Sequence, residues 1–127
     1  MGVREVIEEY ERSFGHIPQK MGIKNNTKEG YESLYRILML ALDQAQNGKG
    51  MERHADGERF ENQPICRIGR RKGLGFAEGQ IWKKILEVDN LTTVEAKIRE
   101  MLSIIVYAAA DIILLEEMVK DENENKS

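Results

Sequence analysis

Apolar positions recur along this chain with the helical period. Residues 94–119 read VEAKIREMLSIIVYAAADIILLEEMV, apolar at every position from Ile104 to Ala110 and again from Ile112 to Leu115. A surface helix shows one apolar stripe and one charged face, so a segment apolar all round is expected to be covered all round. The pattern predicts a central helix against which the others pack. Thr92 followed by Glu95 has the form of a capping box, in which the threonine oxygen satisfies the Glu95 amide and the carboxylate returns to the cap, and it predicts where that helix starts.

Earlier segments carry narrower stripes. Val3, Val6, Ile7, Tyr10 and Phe14 recur at helical spacing with Glu5, Glu8, Glu9, Glu11 and Arg12 on the other faces, and Gly15 and Pro18 stop this short amphipathic helix. Asn26 with Glu29 suits the cap of a second helix whose stripe is Tyr31, Leu34, Tyr35, Leu38, Leu42 and Ala45, ended by Asn47 and Gly48. Residues 48–63 read GKGMERHADGERFENQ, a long polar loop of the kind that is either functional or disordered. Pro64 suits the first position of a short helix burying Ile65, Cys66 and Ile68, weakened by Gly69 and broken by Gly73 and Gly75. From Phe76, the residues Ile81, Trp82, Ile85, Leu86 and Val88 form an apolar face with Trp82 expected in the core, and Asp89-Asn90 closes the helix.

These elements predict an all-α fold, a bundle of four to five helices around a buried C-terminal helix. Residues 1–119 form one domain, followed by an acidic tail, 120–127, with no apolar residue and expected to be disordered. Ala108, Ala109 and Ala110 allow two helices to approach closely, so a homo-oligomer built around this segment is expected.

Composition changes the picture in two places. The net charge of the 127 residues is -3, which gives no reason to expect nucleic acid or an anionic membrane as partner. Between Lys49 and Lys84, however, nine Lys and Arg face five Asp and Glu, so a basic middle sits in an acidic chain. The single cysteine, Cys66, cannot form an internal disulfide, and the charged N-terminus has no signal-like apolar run, so a cytoplasmic setting is expected. The C-terminal apolar run is shorter than the roughly 20 residues of a membrane span and contains Asp111. The sequon at Asn25-Asn26-Thr27 therefore carries no weight.

The densest candidate chemistry is residues 67–75, RIGRRKGLG. Arg67, Arg70, Arg71 and Lys72 supply four cations, and Gly73 and Gly75 let backbone amides approach an anion beside the start of the helix near Phe76. This is chemistry for a phosphate group, without the order of residues of a P-loop. The bland alternative is a solvated basic turn that pairs with the acidic C-terminal face. In the polar loop, Arg53 and His54 join the site only if the loop folds over a ligand; alone, His54 is a surface histidine, since no Cys or His repeats at zinc-ligand spacing. Asp111, a carboxylate within an apolar helix, is expected to pair with Arg36, Lys83 or Lys84.

The second half of the chain, GQIWKKILEVDNL followed by KIREMLSIIVYAAADIILLEE, resembles all-α phage proteins of nucleotide metabolism and, more remotely, MazG-type nucleoside triphosphate pyrophosphohydrolases. In those enzymes E-x-x-E on one helix and E-x-x-D on the next hold the magnesium that bridges a triphosphate. The resemblance places Glu100 at the first position of the second motif, but Ser103 stands where its aspartate belongs, and Lys83, Lys84 and Glu87 replace the acidic pair before it.

Three functions are consistent with these residues. The first is a non-catalytic, cofactor-free binder of a phosphorylated small molecule, such as a nucleotide or cyclic nucleotide signal, that sequesters its ligand. The second is a magnesium-dependent pyrophosphohydrolase with Glu87, Glu95 and Glu100 as ligands. The third is a structural or regulatory bundle that binds a protein partner.

Overall fold

A computed structural model describes residues 27–48 and 57–125, which form four α-helices and one short 3-10 turn, with no strand among them. The fold class is all-α, as the periodicity predicts. The expected helix at Val3 to Phe14, the cap at Asn26 and the loop residues Arg53 and His54 lie outside the described residues.

The first helix, α1, spans Glu32–Asn47 and begins later than an Asn26 cap would place it. A turn precedes it, in which the Tyr31 amide donates to the Lys28 carbonyl and the Gly30 amide to both carboxylate oxygens of Glu32 at 3.3 and 3.0 Å. Part of the expected polar loop is ordered as a 3-10 turn at Phe60–Asn62, beside which Arg59 and Glu61 form an exposed ion pair. Helix α2, Pro64–Lys72, starts on the proline, where the missing amide hydrogen is not needed. It ends at Gly73, whose φ of +89° is costly for any residue with a Cβ and whose amide donates to the Gly69 carbonyl at 2.7 Å.

After this one-turn corner, α3 runs over Gly75–Val88 and α4 over Val94–Asn125. The cap of α4 is Thr93 rather than Thr92: its Oγ1 accepts the Ala96 amide at 3.1 Å. Glu95 thus falls in the first turn, where its charge still complements the positive end of the helix. The last residues of α4 also depart from expectation. The segment expected to fray continues as helix to Asn125, its side chains exposed and Lys120 spaced four residues from both Glu116 and Glu124, a favourable helical spacing.

Helix α4 is the centre of the bundle. Leu40 and Ala41 of α1 close a cluster with Leu102, to which Ile37, Ile98, Ile105 and Val106 add half-buried surface. Farther along α4, α2 and α3 pack together on Leu114 and Tyr107. Gly69 makes the α2 contact possible: a Cβ placed there would lie 2.4 Å from Leu114 Cδ1, so the glycine sets how near the helices come. Around it Cys66, Ala77 and Ala110 are all but fully buried, a layer of small side chains.

Two expectations of burial are corrected. Trp82 is 65% exposed and Leu86 69%, with Ile85 also exposed, because α3 meets α4 along the edge marked by Ala77, Ile81 and Lys84, not along its widest apolar arc. Likewise α4 is not covered all round: Met101, Ile112, Leu115 and Val119 lie on a face that no described element reaches. Among the described residues no helix is long and apolar enough to cross a membrane.

The Gly69 contact predicts that Gly69→Val lowers stability by about 1–3 kcal/mol through overpacking against Leu114. Gly75→Ala, where the added Cβ meets nothing within 4 Å, should stay within about 0.5 kcal/mol of the parent. Urea denaturation of the two variants checks the contrast, and equal midpoints would refute it.

Candidate functional site

The basic run expected as a glycine-bearing turn is mostly helix. Arg67 to Lys72 occupy the last turns of α2, so the helical period, rather than a loop, decides where each cation goes. Arg70, Arg71 and Lys72 stand in the final turn, where cations complement the negative end of the helix. That placement explains part of the cluster without any ligand.

Arg70 turns back toward α4. Its Nε donates to both carboxylate oxygens of Glu117 at 3.1 and 3.0 Å, and Nη2 donates to Oε1 at 2.8 Å. This hydrogen bond, more than the charge alone, raises the arginine and holds the Glu117 carboxyl below its ordinary range, against a small opposing effect of burial. Both side chains are more than a third exposed, so solvent screening limits the pair to about 1 kcal/mol or less. The contact is the pairing with the acidic C-terminal face that the sequence left as an alternative.

Arg67, Arg71 and Lys72 are different. All three are exposed, and none of their side chains has a hydrogen-bond or ion-pair partner among the described residues. Arg67 and Arg71, four residues apart, share one face of α2, and Lys72 follows at the corner. At Gly73 and Gly75 an added Cβ would meet nothing within 4 Å, so the backbone of the corner is open to approach from outside. The Phe76 amide is engaged by the Gly73 carbonyl at 3.3 Å, and the Glu78 amide by Leu74 at 3.2 Å, which leaves the start of α3 only part of its expected donor set.

Of the residues singled out by the pyrophosphohydrolase resemblance, Lys83, Lys84 and Glu87 are on α3 and Glu100 and Ser103 on α4. Glu100 accepts a 2.6 Å hydrogen bond from Lys84 Nζ, which also lies 5.6 Å from the centre of the Tyr107 ring. The ring itself meets Phe76 edge-on at 6.2 Å. An ammonium thus stands against Glu100 where a metal ligand would face a cation. Ser103 Oγ accepts the Gln44 side-chain amide at 3.1 Å, and the same amide reaches the Arg99 carbonyl at 3.1 Å, so this polar position ties α1 to α4. No group of three or more His, Cys, Asp or Glu among the described residues has the arrangement of a metal site.

Neither pair is legible in the sequence. Lys84 lies 16 residues from Glu100 and Gln44 lies 59 from Ser103, and nothing in the one-dimensional pattern distinguishes these partners from their neighbours. A shallow groove of about 560 Å³ follows the end of α4 between Glu116, Val119, Lys120, Asn123 and Glu124. Its lining is more acidic than basic and includes none of the α2 cations.

Asp111 departs most from expectation. Of the three expected partners, Lys84 is engaged with Glu100, Lys83 is exposed on α3, and Arg36 belongs to α1, which packs beside Ile98 and Leu102. Asp111 Oδ1 is buried with no hydrogen-bond partner among the described residues. Burial, and secondarily the charge of Glu78 in the first turn of α3, raises its carboxyl above the ordinary value. Nearby, Cys66 is fully enclosed, and burial pushes its thiol upward, which suits an inert core residue more than a nucleophile.

Compared with protein-family models, curated proteins and solved structures, the chain returns no match.

A raised carboxyl costs stability as pH climbs from its unfolded value, about 3.9, through its higher folded value; well below about 3.9 both states hold the proton and the cost is absent. Asp111→Asn should therefore raise the thermal midpoint at pH 7, with a gain that shrinks as pH falls toward about 4 and vanishes about one pH unit below that. Melting curves across this range test it, and a gain independent of pH would assign the effect to something other than the charge.

Proposed function

We propose that the protein binds a phosphorylated small molecule without chemical turnover, through Arg67, Arg71 and Lys72 and the open backbone at Gly73 and Gly75. The supporting observation is that the side chains of these three cations, exposed on α2, have no partner among the described residues, whereas Arg70 and Lys84 are engaged by Glu117 and Glu100. Arginine forks fit phosphate oxygens in pairs, and a lysine adds a point charge at the same anion. Arg70 acts as a strut in this reading; Arg53 and His54, which lie outside the described residues, are proposed as further contacts to the ligand. A nucleotide or cyclic nucleotide is the ligand class, and sequestering it is the role.

The magnesium-dependent alternative has less support. Of its three ligands, Glu100 is held by Lys84, Glu87 is exposed on α3, and Glu95 sits in the first turn of α4. A regulatory bundle that binds a protein is favoured instead by a specific observation, the exposed Trp82, Ile85 and Leu86 on one face of α3. Aromatic and aliphatic side chains grouped in this way are typical anchors of an interface.

Calorimetry against inorganic phosphate, nucleoside mono-, di- and triphosphates and cyclic dinucleotides, without magnesium, separates these readings. Binding of at least one phosphorylated ligand is expected, weakened about 10-fold or more per lost arginine in Arg67→Ala and Arg71→Ala, since a hydrogen bond to a charged group contributes about 1.5–3 kcal/mol. Arg70→Ala should lower the melting temperature and leave affinity nearly unchanged. No heat across the whole panel would remove the ligand-binding reading, and pyrophosphate release on adding magnesium would replace it with the enzyme.

A further inference from the structure

The open face of α4 carries a pattern that the fold of one chain does not use. Val94, Met101, Ile112, Leu115 and Val119 are each 44–56% exposed. At 3.6 residues per turn these five and Ala108 fall within an arc of about 60°. Taken with Ile98 and Ile105, the apolar positions 94, 98, 101, 105, 108, 112, 115 and 119 alternate in steps of four and three without a break. That is a heptad repeat whose seam is filled throughout, alternately by Ile98, Ile105, Ile112 and Val119 and by Val94, Met101, Ala108 and Leu115. Helix α1 reaches only one edge of its first part, where Ile98 and Ile105 pack against the Leu40, Ala41 and Leu102 cluster, and leaves Val94 and Met101 exposed. Beyond Ile105 the seam continues to Val119 with nothing described over it.

We infer that a second copy of this chain covers this seam, with the two α4 helices antiparallel about a two-fold axis at Ala108. A seam with a period of 3.5 residues matches another long helix, and α4, at 32 residues, is the one helix described here long enough to run its whole length. The stripe is complementary to itself, as a closed two-fold interface requires. Its smallest residue, Ala108, lies at the centre, where the helices come nearest, and Met101 and Leu115 lie seven residues to either side, so each faces the other across the axis.

Charge selects the direction. The first half of α4 is balanced, with Glu95 and Glu100 against Lys97 and Arg99, whereas the second half carries Asp111, Glu116, Glu117, Asp121, Glu122 and Glu124 against Lys120 alone. Parallel helices would bring the two acidic ends together. Antiparallel helices set each acidic end beside the balanced half that contains Lys97 and Arg99, and they also oppose the helix dipoles.

Sedimentation equilibrium of the full chain is expected to give twice the 14.6 kDa chain mass. Leu115→Glu, on an exposed position, should halve that mass while far-ultraviolet circular dichroism keeps its helical signal; Ile112→Lys provides a second variant with the same expectation. Orientation is read by oxidative cross-linking in a Cys66→Ala background. Ala108→Cys should form an inter-chain disulfide, Met101→Cys alone should not, and an equal mixture of Met101→Cys and Leu115→Cys chains should. A monomeric parent chain, or a dimer that survives both charged substitutions, overturns the inference. Cross-linking of Met101→Cys to itself would show parallel helices and overturn the orientation.

Discussion

Everything described in this fold leans on one helix. Helix α4 is long enough to receive α1 on its first half and the α2–α3 pair farther along, and the tertiary hydrogen bonds and ion pairs described above, Gln44 to Ser103, Lys84 to Glu100 and Arg70 to Glu117, all end on it. Its contacts are close because the residues that meet it are small. Gly69 admits Leu114, and Ala41, Ala77 and Ala110 let neighbouring backbones approach where longer side chains would hold them apart. Few residues are fully buried as a result, and the order of the bundle rests on short-range fit along several narrow edges.

That arrangement also sorts the charges. Two of the cations in the basic middle of the chain are drawn to carboxylates on α4, and both pairs join neighbouring helices to it. Arg67, Arg71 and Lys72 of α2 are exposed and make no side-chain ion pair among the described residues. A helix rather than a loop carries them, so their directions are set by its period, which makes them better suited to meeting an anion at the surface than to enclosing one. Lys84 has a further consequence. Set against Glu100 and the Tyr107 ring, its ammonium joins α3 to α4 and satisfies that carboxylate.

Most of the helices were legible in the residues. The ends of α1 at Asn47 and of α3 at Val88, the start of α2 on Pro64 and its stop at Gly73 follow from local chemistry: a proline that lacks an amide hydrogen, a glycine that tolerates positive φ, polar residues where a stripe ends. Thr93 rather than Thr92 caps α4 because two adjacent threonines offer the same oxygen, and only the path of the preceding turn selects between them. Of the candidate site, the identity of the cations was legible and their grouping was not, since Arg70 belongs to Glu117 through a contact 47 residues away.

Residues 94–119 mark the division between the two sources of information. By itself the sequence determined that this segment is helical, apolar and central, because period and hydrophobicity are properties of a single element. Only the tertiary structure decided which of its faces are covered, that one carboxylate oxygen of Asp111, Oδ1, is buried with no hydrogen-bond partner among the described residues while Glu100 accepts from Lys84, and that Trp82 is exposed. The physical reason is that a periodic stripe specifies that a face avoids water, whereas the number, width and placement of neighbouring helices determine how much of it they reach. Here they reach two sides of α4 and leave a heptad seam on the third.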